Sequence, residues 1–496
     1  MTESPFLRWS QRLQTPAAAL GLLALWLIAT LGLRPLLLPD EGRYANVARE
    51  MLHGDALVPT LNGLPFFHKP PLMYWLDMAA MSVFGENEFA ARVAPMLGAW
   101  LMGAGLYFAL RRWHGARAAA IGVVVLATTP FFFVGAQYAN HDMLVAGLIT
   151  LAVLAFARAV EAPPGVSMRW LIAAWIACAL AMLAKGLIGF VLPALVIGPW
   201  LLVQGRWRQM LALLHPLALL AFVAVAAPWF VAMQVRYPGF FDYFVVEQHF
   251  RRFAQSNFNN AHGFWFFLVV LPAFTLPWSM WLPAAAKRVV SDHRAHLGLC
   301  AWWVVAVLGF FSLPTSKLVG YVLPALVPWC VLLTLVIVST RAWRWVAGAS
   351  ALLCVGIVIA VAWKAPNSNR AAASVLAAQM ASGDRVVMLD EYFYDLPFYA
   401  HLTQPSLIAS DWANPDLPRH DNWRKELFDA ARFDAERGKP LLVQIDKIDK
   451  VLCEPGAVWF VTHPSRAPRL QSISGVKQVY ADAHTELWHA SGRACP

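Results

Sequence analysis

Charge is what this 496-residue chain has little of. Only 14% of its residues are Asp, Glu, Lys or Arg, against roughly 25% in soluble domains. With 59% hydrophobic residues, that shortage excludes an ordinary water-soluble protein. Most side chains must face lipid or one another. Nucleotide-binding loops are also missing. There is no Walker glycine pattern and no G-x-G-x-x-G after a strand-like run, so a nucleotide-sugar donor has no visible motif. None of the 6 cysteines has structural-zinc spacing. Cys178, Cys300, Cys330 and Cys354 lie in apolar runs and read as core thiols, whereas Cys453 and Cys495 lie in a polar tail and could pair in an oxidising compartment. The sequence shows no internal repeat, no repeated halves and no matching pair of broken helices, which argues against a transporter built that way. No small-residue cleavage site follows the first apolar run (17–38), which is expected to stay as a span.

What is present points to a polytopic membrane protein. The 23 Trp suit interfacial anchoring. The net charge of +10 is explained by basic residues in short cytoplasmic loops, not by nucleic acid. Run lengths predict an α-helical protein with about eleven spans, range eleven to thirteen. After the first, they centre near residues 100, 127, 152, 177, 195, 221, 273, 305, 328 and 353. Arg8 and Arg12, Arg111, Arg112 and Arg117, Arg169, Arg206 and Arg208, Lys287, Arg288 and Arg294, and Arg341 and Arg344 mark one face. That face should be cytoplasmic, with the N-terminus inside and the tail after about Trp363 outside. Leu72 to Phe84 is too short for a span and reads as interfacial or re-entrant. Tyr44, Val47, Ala48, Met51 and Leu52 follow helical spacing, predicting an amphipathic helix along the membrane surface, ended by Gly54.

The expected organisation is a membrane-embedded catalytic domain over 1–363, with an amphipathic outer loop at 40–92, then a small α/β domain over 364–496. Strand-like runs fall at 385–389, 440–445, 458–461 and 477–480, with a helix near 423–436.

That topology gathers ionisable residues on the outer face: Asp40, Glu41, Arg43, Lys69, Asp142, Glu247, His249, Arg251, Arg252 and Lys317. Lysine and arginine there suit a phosphate, Lys as a point charge and Arg as a fork. Each has a plainer reading. Asp40 and Asp142 could be helix N-caps. Lys69, Lys185 and Lys317 could snorkel to headgroups. Glu247 and His249 could form a solvated face, and Arg251 and Arg252 could touch anionic lipid.

Several segments resemble a known family. Leu38 to Tyr44, Arg49-Glu50-Met51, Pro59 to Gly63, His68-Lys69-Pro70-Pro71-Leu72 and Phe84 to Arg92 are similar to the first outer loop of bacterial aminoarabinose transferases. Those belong with protein mannosyltransferases in the GT-C class of polyprenyl-phosphate-sugar glycosyltransferases. Weaker echoes follow at Asn140-His141-Asp142, Glu247 to Phe253, Ser316-Lys317-Leu318 and Tyr321 to Pro324. The resemblance implies a GT-C-type fold. It implies key acidic residues at Asp40 and Asp142 and donor-phosphate contacts from Arg43, Lys69, His249 and Tyr321, with Lys317 added by its place beside that motif. Tyr44 and Glu247 join as substrate-binding candidates. Many members carry Glu before Lys-Pro-Pro, where this chain has His68. In the family that Glu can help hold a divalent metal near the phosphate; here either His68 ligates a metal with His249 or the metal is absent.

The expected function is inverting transfer of a sugar, an aminopentose first, from undecaprenyl phosphate to lipid A or another envelope glycolipid. The expected setting is the periplasmic face of a bacterial inner membrane, with membrane lipids as neighbours and no nucleic-acid partner. The alternatives are a protein O-mannosyltransferase-like enzyme and a lipid or sugar transporter.

Overall fold

The computed structural model describes residues 14–161, 165–251, 260–292, 294–364, 367–419 and 421–491, leaving aside the side chains of 249–251 and 419. Arg252 and Cys495 lie outside the described residues, and Cys453 is disulfide-bonded. Among the described residues, 7 helices are long and apolar enough to cross a membrane, and 9 if each of 2 bent pairs is one span. The chain is thus a multi-pass membrane protein. The bent pairs are Ala116–Ala127 with Pro130–Ala136, at 69°, and Phe266–Phe274 with Trp278–Ser291, at 107°. Pro130 and Pro277 sit at the two breaks, where a missing amide N–H favours interruption. The sequence reading of about eleven also counts Pro16–Ile28 and Ile188–Val203, which are helical and apolar but short.

Glycine sets one close crossing. A Cβ on Gly98 would lie 2.5 Å from Leu144 Cα, and one on Gly147 would lie 2.3 Å from Gly98 O. Only glycine lets helices Val93–His114 and His141–Ala159 approach so tightly. That contact fixes the start of the second helix, which carries Asn140, His141 and Asp142.

The outer loop is ordered by local chemistry. Asp40–His53 is a helix that stops before Gly54, and Leu72–Phe84 is a helix of 13 residues. Between them, β1 (Thr60–Leu61) and β2 (Leu64–Pro65) pair antiparallel around Asn62 and Gly63. Both turn residues have positive φ, 55° and 73°, as a two-residue hairpin turn demands. Glu50 accepts both of their amides, at 2.8 and 2.9 Å.

The C-terminal part holds a six-stranded sheet: β3 (Arg385–Leu389), β4 (Leu407–Ser410), β5 (Leu442–Gln444), β6 (Val458–Thr462), β7 (Val476–Ala481) and β8 (Glu486–Ala490). The order is β5-β4-β3-β6-β8-β7. The first four strands run parallel; β8 is antiparallel to both β6 and β7. Fully buried β6 lies inside the sheet, and half-exposed β7 forms an edge.

This part covers the polar face of helix Asp40–His53. Asn46 and Arg49 are buried. Arg49 Nη2 donates to Leu402 O at 2.9 Å, and Asn62 exchanges hydrogen bonds of 2.9 and 2.8 Å with the Ser406 backbone. A Cβ on Gly42 would meet the Asp395 amide nitrogen at 2.9 Å. Amphipathic spacing marks a face that meets polar groups; here those groups are protein.

Candidate active site

Glu41 anchors the site and does not belong to its open surface. Its carboxylate is fully buried and paired with Arg34 and Arg92, the latter through Nε at 2.8 Å and Nη2 at 3.1 Å. It also accepts the amides of Leu37 and Ala139, each at 2.8 Å. Arg92 donates onward to the carbonyls of Leu31, Arg34 and Pro35, each at 2.9 Å. Burial alone would raise the Glu41 pKa, but Arg92 and Arg34 overcome it and hold the carboxyl at about 2. This knot ties the end of the first apolar run, the start of helix Asp40–His53 and the loop before Asn140.

Asp40 is therefore presented at a fixed place. Pro39 occupies the cap position and Asp40 is the first helical residue, with no side-chain cap bond, so its N-cap reading is not realised. Its side chain keeps 28% exposure. Oδ1 accepts from Arg43 Nη1 at 3.1 Å, and Oδ2 faces Asn140 Nδ2 at 3.3 Å and the Tyr138 hydroxyl at 3.5 Å. The Arg43 guanidinium lies 4.6 Å over the Tyr394 ring and reaches Glu426 at 3.1 Å. Glu426 in turn accepts the Tyr394 hydroxyl at 2.6 Å. Arg43 is held well above its ordinary pKa: burial opposes the charge, and Glu426 with its other neighbours outweighs it.

Asn140 joins this cluster to a second one. Its Oδ1 accepts the Asp142 amide at 3.2 Å, so Asn140, not Asp142, caps helix His141–Ala159. The Asp142 carboxylate is instead ion-paired with Lys185, whose ammonium lies 4.6 Å over the Tyr321 ring. Tyr321 itself tilts on Phe311 at 5.0 Å. A Cβ on Gly320 would come within 2.2 Å of Asp142 Oδ2, so glycine makes room for this carboxylate. His141 is buried edge-on between Tyr44 at 4.6 Å and Tyr74 at 5.2 Å, within the electrostatic reach of Lys69 and Lys185. Asp40, Arg43, Tyr44, Lys69, Asp142 and Tyr321 thus gather around one neighbourhood, which Lys185, Asn140, Tyr138, Tyr394 and Glu426 complete.

Other expected residues fall elsewhere or take different partners. Lys317 is buried and donates to the carbonyls of His262, at 2.9 Å, and Pro314. Glu247 reaches Lys425 at 2.8 Å, which also contacts Asp429 at 2.6 Å. The His68 ring stacks on Phe66 at 4.4 Å. The side chain of His249 lies outside the described residues. Among the described residues, no group of three or more His, Cys, Asp or Glu side chains converges to hold a metal. The His68–His249 pair expected near a divalent metal includes a side chain outside the described residues.

Lys185 was legible only as a lysine ending an apolar run; its partner, Asp142, is 43 residues away in sequence. Glu426 and Tyr394 lie in the tail, where nothing local marks them as neighbours of Arg43.

Comparison with known proteins adds to this geometry. The family model for dolichyl-phosphate-mannose-protein mannosyltransferase matches residues 68–231. The chain is 34% identical over 317 residues to an undecaprenyl phosphate-alpha-4-amino-4-deoxy-L-arabinose arabinosyl transferase from Erwinia tasmaniensis, covering 62% of this chain and 57% of that one. A second such transferase, from Sodalis glossinidius, is 37% identical over 325 residues, covering 63% and 58%. The matched part thus spans less than two thirds of these relatives' length. In fold, the chain is similar to ArnT from Cupriavidus metallidurans bound to undecaprenyl phosphate, with a TM-score of 0.81 at 24% identity over 95% of this chain and 97% of that one. The archaeal oligosaccharyltransferase AglB from Archaeoglobus fulgidus is a more distant likeness, with a TM-score of 0.55 at 14% identity, covering 93% and 70%. The architecture is thus of GT-C type.

Proposed function

We propose that this chain, a member of the aminoarabinose transferase-like family of membrane glycosyltransferases, moves an aminopentose from undecaprenyl phosphate to lipid A or a related envelope glycolipid. One observation carries the reading. Asp40, the partly open carboxylate of the site, is held by Arg43 and, through Asn140, joined to the Asp142–Lys185 pair. A base candidate and cations for a departing phosphate thus stand together at one end of the helices.

In the proposed reaction an acceptor oxygen attacks the anomeric carbon from the face opposite the lipid phosphate. The new carbon–oxygen bond forms as the old one breaks, and its electron pair leaves on the phosphate oxygen, with inversion. Asp40 takes the acceptor proton, or orients an acceptor that is already an anionic phosphate. Arg43 and Lys69 stabilise the leaving phosphate as charge develops on it. Lys185 holds Asp142 in place for contacts to a sugar, and Tyr321 walls that side. Tyr44 and Glu247 remain candidate substrate contacts, as His249, Tyr321 and Lys317 remain candidate phosphate contacts. No step is assigned to a metal.

The membrane-embedded part up to residue 363 and the α/β part from 364 are proposed as two domains sharing this site. Placing the site on the periplasmic face of an inner membrane, with the N-terminus cytoplasmic, agrees with the basic clusters of the opposite loops. The test is mass spectrometry of lipid A and of glycoproteins from cells with and without the protein. Loss of an aminopentose from lipid A is the expected result. Intact lipid A with loss of a glycan from protein would favour the mannosyltransferase-like alternative, which the family-model match supports.

A further inference from the structure

Arg43 is held from two distant parts of the chain. Nη1 meets Asp40 and Nη2 meets Glu426, both at 3.1 Å, and the guanidinium stacks on Tyr394. Glu426 lies on helix Trp423–Phe433, whose neighbouring Lys425 bridges Glu247 and Asp429. That helix is thus fastened to the membrane part at two adjacent residues. The Arg43 and Glu426 side chains keep only 13% and 9% exposure. In so dry a place a charge left without its partner is costly.

A guanidinium already facing two carboxylates has no net positive charge to offer an incoming phosphate. One carboxylate must yield before the fork can close on a phosphate oxygen. Asp40 is also tied to Asn140, on the same side of the molecule as the Asp142–Lys185 pair. Helix Trp423–Phe433 is also packed in place through Phe433 against Phe67 and Tyr243, so it is the Glu426 carboxylate that yields, keeping its bond from the Tyr394 hydroxyl when Arg43 turns away.

We propose that Glu426 is a positioning residue: it holds Arg43 beside Asp40 until the donor phosphate displaces it, so that the C-terminal helix competes with the donor for one arginine. The proposal rests on Arg43 being a phosphate ligand, as in the reading above. In this reading Glu426 acts through Arg43 and is assigned no contact with the reacting atoms. Its effect passes through the orientation and charge of Arg43.

Glu426→Gln keeps the shape and removes the competing charge. Undecaprenyl phosphate should then bind about fivefold tighter, and KM for the donor should fall in step. In the donor complex Glu426 has already been displaced, so kcat should stay within about twofold of wild type. Glu426→Asp, which keeps the charge on a shorter arm, should tighten binding less, by about twofold. The experiment measures undecaprenyl phosphate binding, kcat and donor KM on full-length purified protein for wild type and both variants, with thermal unfolding alongside. Tighter binding and lower donor KM at near-wild-type kcat support the proposal. Unchanged or weaker binding by a folded Glu426→Gln overturns it. Should Glu426→Gln prove unfolded, Glu426→Asp decides: tighter binding supports the proposal, and unchanged or weaker binding overturns it. Wild type that fails to bind undecaprenyl phosphate at all would refute the transferase reading, a separate result from either of these.

Discussion

Glu41 and Asp40 are adjacent carboxylates at the start of one helix, yet they sit in opposite kinds of surroundings. Glu41 is sealed between two arginines and two backbone amides. Asp40 keeps 28% exposure and shares one arginine with another carboxylate. Successive helical positions point about 100° apart, so one residue faces the protein interior and the other the partly open side of the site. Saturated partners make a structural staple, whereas partial satisfaction leaves lone pairs for a substrate.

The largest effect should come from Asp40→Asn. Transfer by purified protein is expected to fall by about 10²- to 10⁴-fold, the usual range for losing a general base. Glu41→Gln should act on the fold instead. It strands Arg34 and Arg92 in a buried place, and loss of one member of such a group costs about 3–5 kcal/mol. Thermal unfolding and membrane accumulation would both report it. The sign of the acid response follows. With its folded pKa at about 2 against an ordinary 4.5, Glu41 contributes stability that is full above 4.5 and drains away as pH falls toward 2. Unfolding followed across that window should lose this component in wild type and show none of it in Glu41→Gln.

Smaller changes sharpen the contrast on the open side. Gly320→Ala places a methyl against Asp142 Oδ2 and should disturb its pairing with Lys185. Transfer should drop by about tenfold to a hundredfold, read as initial rate. Tyr138→Phe removes only a 3.5 Å contact to Asp40. Its cost should be about twofold to threefold in rate, in keeping with a weak hydrogen bond.

Local pattern made part of this visible beforehand. Leu72–Phe84 and Asp40–His53 emerge as helices because apolar spacing and a terminating glycine are properties of a short window. Strand runs at 385–389 and 458–461 were similarly legible, being continuous and β-branched. Strand Leu407–Ser410 has only 4 residues, and Glu486–Ala490 mixes charge, Trp and His, so neither stands out. Asp40, Arg43 and Asp142 are recognisable through the family-like motifs around them. Their partners are less so: Arg34 and Glu426 lie in no such motif, Arg92 ends one with no role marked by it, and Lys185 reads as a snorkelling lysine. Each gains its role from a residue far off in sequence, which composition and periodicity do not encode. The same limit explains helix Asp40–His53, whose polar face looks solvated until the C-terminal part is laid over it.

Purifying Asp40→Asn and Glu41→Gln side by side and measuring sugar transfer per folded molecule would separate the two carboxylates most directly. Asp40→Asn should remain folded and nearly inactive, while the folded fraction of Glu41→Gln should work close to the wild-type rate. A folded Asp40→Asn that transfers sugar like wild type would contradict the assignment of chemistry to Asp40.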